Sequence, residues 1–220
     1  MAEGKSKLTE VVFILDRSGS MEGLEKDTIG GFNSMLKKQK SEPGRVLVST
    51  VLFDDACQVL HDRVPLENVR PMTEEDYWTR GCTALLDAVG GAIDHIGRIH
   101  KYARAEDLPD KTLFVITTDG MENASGRYSY RDVSRMVKRQ EERYGWEFIF
   151  LGANIDAEKE AARYGIRKKN AVNYVSDAVG TGLNFAVMCE AISEMRTCKE
   201  KSLSSNWRKK VDSDYKKRHR

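Results

Sequence analysis

Along the chain, short and almost unbroken apolar runs alternate with longer segments whose apolar residues recur every three or four positions. Residues 9–15, "TEVVFIL", are rich in β-branched and aromatic side chains, as are "KTLFVITT" and "WEFIFL". Such runs predict strands buried on both faces, the habit of a parallel sheet. Between them the period changes. Ile29, Phe32 and Leu36 predict a helix that stops near "SEPG", and Leu86, Val89, Ile93, Ile96 and His100 line one stripe of a longer helix. Ser129-x-x-Asp132 is a capping box ahead of Val133, Met136 and Val137. Asp156 caps a short helix ending at Gly165, "NAVNYV" is a weak last strand, and Phe185, Met188, Ile192 and Met195 mark a final helix. "RVLVSTVLFDDACQVLH" reads as a hairpin turning at Asp54-Asp55, followed by a long polar connection with one helical turn.

Strand and helix therefore alternate almost throughout. The fold class predicted is α/β: a Rossmann-like three-layer α/β/α sandwich with a mostly parallel central sheet and one antiparallel edge strand. At 220 residues the chain suits one well-filled domain with at most an appendage. No apolar run approaches the roughly 18 residues that a membrane-spanning helix needs. The first ten residues are polar, without the apolar core of a secretion signal. Cys57, Cys82, Cys189 and Cys198 form no C-x-x-C pair, which reads as reduced thiols and a cytoplasmic location.

Net charge changes the picture only when it is divided. Residues 199–220 hold nine Lys/Arg against three Asp/Glu, a balance of +6, leaving 27 basic and 31 acidic groups, or −4, in the rest. The expectation is a domain over residues 1–198 and a basic, flexible or helix-extending tail over 199–220. That tail mixes its charges with Trp207 and Tyr215, a composition that could meet nucleic-acid phosphates non-specifically, though a solvated tail is the plainer reading.

The chemistry gathers where strands end. "DRSGS" places Asp16, Ser18 and Ser20 directly after the first strand; "TTDG" places Asp119 after another; Thr83 opens the long helix in "GCTALLDA". Ligand sites of open α/β sheets lie beyond the carboxyl ends of the strands. Alternate residues of a tight loop can turn onto one ion, and hydroxyl ligands are neutral. A hard cation such as Mg²⁺, which takes oxygen ligands in octahedral geometry, would stay electrophilic there and attract an outside carboxylate.

These three segments resemble, in order and separation, the metal-ion-dependent adhesion-site motifs of von Willebrand factor type A domains. The family pattern, Asp-x-Ser-x-Ser, then a Thr, then an Asp, is matched at all five positions. The resemblance runs from about residue 9 to residue 195. It implies that Ser18 and Ser20 bind the metal directly, Thr83 directly or through water, and Asp16 and Asp119 mainly through coordinated waters. It further implies Mg²⁺, with Mn²⁺ or Ca²⁺ as alternatives, and a protein partner supplying a Glu or Asp to the open position. Without a leader or paired cysteines, the chain looks like the stand-alone intracellular bacterial members. Met21, Glu22, Glu122 and Asn123 are candidates for a partner-binding rim.

Two other functions compete. A carboxylate after strand one also opens Mg²⁺-dependent phosphoryl-transfer sites, but those need a second carboxylate nearby and a later Lys. Position 18 is Ser, "WEFIFL" is followed by Gly152, Ala153 and Asn154, and no phosphate-binding glycine motif occurs. His61, His95 and His100 lack pairing with a general-base Glu, so no catalytic residue is assigned. The other competitor is a nucleic-acid-associated protein working through its tail. Asp87, Asp94 and the Asp54-Asp55 turn read as helix-dipole, solvated and hairpin residues.

Overall fold

The computed structural model describes residues 7–198 and 202–218. Six strands make one sheet: β1 (Leu8–Asp16), β2 (Arg45–Phe53), β3 (Cys57–Pro65), β4 (Lys111–Thr118), β5 (Glu147–Gly152) and β6 (Ala171–Asn173). Their spatial order is β3-β2-β1-β4-β5-β6. All neighbours run parallel except β2 and β3, the expected hairpin at the edge.

Alternate residues of each central strand feed opposite cores, as the pleat requires. Val11, Phe13 and Leu15 of β1 join one core with Leu113, Val115, Ile149 and Leu151. That layer is closed by α1 (Glu25–Lys40), α5 (Ala178–Thr197) and α6 (Lys209–Arg218). Val12 and Ile14 join the other core with Phe114, Ile116, Phe148 and Phe150, beneath α2 (Leu85–Tyr102), α3 (Tyr130–Tyr144) and α4 (Ala157–Arg163). Two-sided burial is why these strands read as continuous apolar runs.

Local signals in the sequence act where they stand. The Ser129 side chain accepts from Asp132 N, completing the capping box at α3, and the Asp156 side chain accepts from Lys159 N at α4. The long connection holds one 3₁₀ turn, Leu66–Asn68. Thr83 does not open α2 as expected. It stays in the loop, because Leu85 is the first helical residue.

The tail departs from the expectation of a solvated segment. Leu203, Trp207 and Val211 are buried and pack in the α1–α5 core, and residues 209–218 form α6. Arg208 ties the segment to α4 through Glu158 at 3.2 Å. Apolar residues at spacing four supply the contact that the surrounding charge obscured. Residues 199–201 and 219–220, like the N-terminal 1–6, lie outside the described residues.

Candidate metal centre

The strand order reverses between β1 and β4, so the crevice at their carboxyl ends is the topological switch point of the sheet. Asp16 is the last residue of β1, and Asp119 follows β4 directly. Both carboxylates are buried.

The first loop leaves β1 through a 3₁₀ turn at Gly19–Met21. Ser18 N donates to Asp16 Oδ1 at 2.7 Å, which curls the chain so that Ser18 and Ser20 face the same way. Their Oγ atoms are 3.0 Å apart, and Ser20 Oγ donates to Asp119 Oδ1. Ser18 is buried and Ser20 exposed, so the pair forms the passage from the strand ends to solvent. Tyr77 Oη donates to the Asp16 carbonyl at 2.5 Å from below.

The second loop brings in Thr83. Gly19 N donates to the Gly81 carbonyl at 3.2 Å, joining the two loops by backbone alone. Gly81 holds φ +65°, and a Cβ there would fall 2.1 Å from Asp55 Oδ1, so this crossing requires glycine. The third loop closes the set. A Cβ built on Gly120 would lie 3.2 Å from Thr83 Oγ1 and 3.3 Å from Ser20 Oγ. The Thr83 hydroxyl, the serines and Asp119 thus converge on one small volume.

The electrostatics of that volume are unfavourable without a cation. Burial pushes the Asp16 carboxyl up to about 6, against hydrogen bonds from Ser18 and Thr118, and the nearby Asp119 charge adds to the rise. Burial also raises Asp119. Among the described residues no Lys or Arg donates to either carboxylate. Arg17, inside the loop, points away: Nε donates to Asp54 Oδ2 at 2.8 Å and Nη1 to Gln58 at 2.6 Å. Among the described residues no group of three or more His, Cys, Asp or Glu side chains could hold a metal, so a cation here depends on hydroxyls. Two buried carboxylates with no counter-ion, beside three hydroxyls, fit a hard divalent ion taking oxygen ligands.

The four residues expected at a rim are placed differently. Met21 is buried beneath its loop, so it is no part of the exposed surface. Glu122 is turned inward: Oε2 accepts from Leu86 N at 2.8 Å, and Oε1 from Ala124 N and Ser125 N, so it fastens the third loop to the start of α2. Asn123 is exposed, yet its Oδ1 accepts from Thr83 N at 2.9 Å and its own N donates to the Thr83 carbonyl at 3.0 Å. Of the four, Glu22 alone is exposed with no side-chain hydrogen bond among the described residues; its backbone N donates to the Gly19 carbonyl at 3.2 Å.

Several positioning residues escaped the sequence reading. Thr118 Oγ1 donates to Asp16 Oδ2 at 2.5 Å, and Ser176 Oγ to Asp119 Oδ2 at 3.3 Å. Asp54 is no mere turn residue: fully buried, it holds Arg17 and Arg80, and its carbonyl accepts from Ala84 N at 2.8 Å. Asp87 accepts from the backbone N of Gly126, Arg127 and Tyr128, pinning the third loop, and Asp94 accepts from Tyr128 Oη. Each neighbour in sequence carried a signal of turn or dipole chemistry, but none of these positions declared which way its carboxylate would point.

No protein-family model matches the sequence, and no curated protein matches it. Solved structures do. The vWF domain of the type V pili tip protein Mfa5 from Porphyromonas gingivalis aligns with TM-score 0.59 and 10% identity, over 90% of this chain and 99% of that one. Proximal thread matrix protein 1 from the mussel byssus aligns with TM-score 0.55 and 13% identity, over 84% of this chain but 46% of its own. A form of that protein with zinc in its metal-ion-dependent adhesion site gives 0.54 and 15%, with the same coverage. This chain thus spans less than half the length of the byssus protein. At these identities the likeness speaks for architecture, and on that ground the chain adopts the fold of von Willebrand factor type A domains.

Proposed function

We propose that this chain is a metal-dependent protein-binding module. A divalent cation, Mg²⁺ in the first instance, would be held by Ser18, Ser20 and Thr83, with Asp16 and Asp119 supplying negative charge from behind. Bound there, the ion supplies an electrophilic position for a carboxylate of a partner protein. The single observation that carries this reading is the pair of buried carboxylates, without a Lys or Arg donor among the described residues, beside three convergent hydroxyls. The zinc-occupied site of the byssus protein supports a divalent ion in this fold.

The residues of this chain divide the work. Thr118 and Ser18 N fix Asp16 through its two oxygens, so it orients rather than reacts. That engagement weighs against Asp16 as a phosphoryl-accepting nucleophile, and an enzyme is the lesser reading. Asn123 and Glu122 set the height of Thr83 by holding its backbone and the first turn of α2. Glu22 stands at the exposed side of the first loop, where its charge would disfavour a second acidic group on the partner. A cytoplasmic setting belongs to this reading and accords with the four free thiols; a bacterial one rests on the resemblance alone. Among the described residues no helix is long and apolar enough to cross a membrane.

The test is capture from a cell extract on immobilised protein. A partner retained with Mg²⁺, released by a chelator and not retained by Ser18→Ala is the expected result. Retention indifferent to both would contradict the reading.

A further inference from the structure

Helix α3 carries an arginine at every fourth position: Arg131, Arg135, Arg139 and Arg143. Four residues advance an α-helix by about 6 Å and return it almost to the same face. The four guanidinium groups therefore form one inclined ridge, and all are exposed, as is Lys138 on the adjoining row. They line an open depression of about 670 Å³ in which Glu142 is the one carboxylate. Arg135 pairs with Asp132 at 2.7 Å; among the described residues Arg131, Lys138, Arg139 and Arg143 pair with none.

Local physics opposes this arrangement. Like charges at spacing four destabilise a helix by about 0.2–0.5 kcal/mol per pair. Arg131 also sits in the first turn, where the helix dipole disfavours a cation. Arg143 alone suits the dipole, in the last turn; for the rest, a body that is otherwise acidic concentrates cations on one face against the preference of the helix, a conflict expected at functional surfaces.

The surroundings indicate what the ridge fits. The apolar residues of α3, Val133 and Val137, are buried in the core, so no apolar stripe faces outward to enter a lipid surface. Nor is there the apolar centre that a stable protein interface needs. Tyr144, 59% exposed, stands at the end of the ridge. It lines, with Arg139, Arg98 and Lys101, a groove of about 340 Å³ between α2 and α3 that also holds the carboxylates Asp94 and Asp110. Guanidinium forks suit phosphate oxygens, and an exposed aromatic beside a basic track suits an unpaired base.

We propose that the α3 ridge binds the phosphodiester backbone of a single-stranded nucleic acid, with Tyr144 offering a stacking face. This site is separate from the metal centre and does not depend on it. It also differs from the tail as a nucleic-acid element, since Trp207 and Val211 there are core residues.

Fluorescence anisotropy of a short labelled oligothymidylate tests it on the full chain. The wild type should bind at low salt. The triple variant Arg135→Gln/Arg139→Gln/Arg143→Gln should bind about tenfold or more weakly, with a log–log salt slope shallower by about 2. Tyr144→Ala should weaken binding and leave the slope unchanged. Ser18→Ala and a chelator should change nothing, which separates this result from the fate of the metal reading. No wild-type binding, or a folded triple variant that binds like wild type, overturns the proposal. So does tighter binding to the matching duplex or to phosphatidylserine vesicles, or displacement by polyglutamate at equal charge.

Discussion

Arg17 and Asp54 are joined side chain to side chain at 2.8 Å, and both are almost wholly excluded from solvent. The pair does two things at once. It anchors the first loop to the end of β2, and it holds the guanidinium of the "DRSGS" segment away from Ser18 and Ser20. Removing one partner of a buried pair costs about 3–5 kcal/mol, whereas replacing both by apolar residues can be nearly neutral. Asp54→Ala is therefore expected to lower stability by about that amount in urea unfolding. It should also weaken divalent-ion binding, because Arg17 is then released toward the two carboxylates. Arg17→Met combined with Asp54→Leu should recover most of the stability.

Gly81 is the narrowest point of the loop crossing. Its positive φ and the approach of Asp55 both exclude a side chain. Gly81→Ala should destabilise by more than about 1 kcal/mol and reduce metal affinity by shifting Thr83. Adding Asp55→Ala removes the side-chain clash and leaves the backbone cost, so thermal denaturation of the double variant should show partial recovery.

Trp207 decides whether the basic segment is part of the fold. A buried Trp→Ala change costs about 3–5 kcal/mol, against nearly nothing for a solvated residue. With 1% exposure, Trp207→Ala is expected in the first class. Among the described residues Trp207 Nε1 has no hydrogen-bond partner, so Trp207→Phe should cost far less. Chemical denaturation of the two variants checks both statements.

Asp76 is one source of acid sensitivity. Two Arg70 hydrogen bonds at 2.7 Å, with the Thr73 amide and hydroxyl at 2.9 Å, hold its carboxyl well below the usual range. A carboxylate depressed in the folded state stabilises the fold above its unfolded pKa, about 3.9 for Asp. That contribution is lost as pH falls through the folded value. Stability of the wild type should thus drop progressively below about pH 4, and Asp76→Asn should be less stable at neutral pH with a flatter acid limb. Because Asp76 adjoins Tyr77, which braces the Asp16 carbonyl, the loss reaches the site.

Much of this structure was legible in the sequence because the deciding signals are local. The apolar runs give the strands, Ser129 and Asp132 give a helix start, and the alternation of Asp16, Ser18 and Ser20 gives a one-sided loop. What the sequence withheld depends on direction. Asp54 and Asp87 look like any turn or first-turn carboxylate, and only packing reveals that one anchors Arg17 and the other pins residues 126–128. Glu122 and Asn123 followed Asp119 closely enough to suggest a rim, yet backbone donors of Leu86 and Thr83 engage their side-chain oxygens, while Asn123 stays exposed. Leu203, Trp207 and Val211 are apolar residues hidden among basic ones, and only Val211 of the three lies in α6, so no helical stripe marked them. Thr118 was in view in "TTDG", but a threonine inside a strand gives no sign that its hydroxyl serves the neighbouring strand's carboxylate.

The central claim is tested most directly by isothermal titration of Mg²⁺ and Mn²⁺ into chelator-treated protein, alongside Ser18→Ala and Asp119→Ala. Saturable binding near one ion per chain in the wild type, strongly weakened in both variants, is the predicted result. A wild type that takes up neither ion, or variants that bind as well as it does, would contradict the assignment of this crevice as a metal centre.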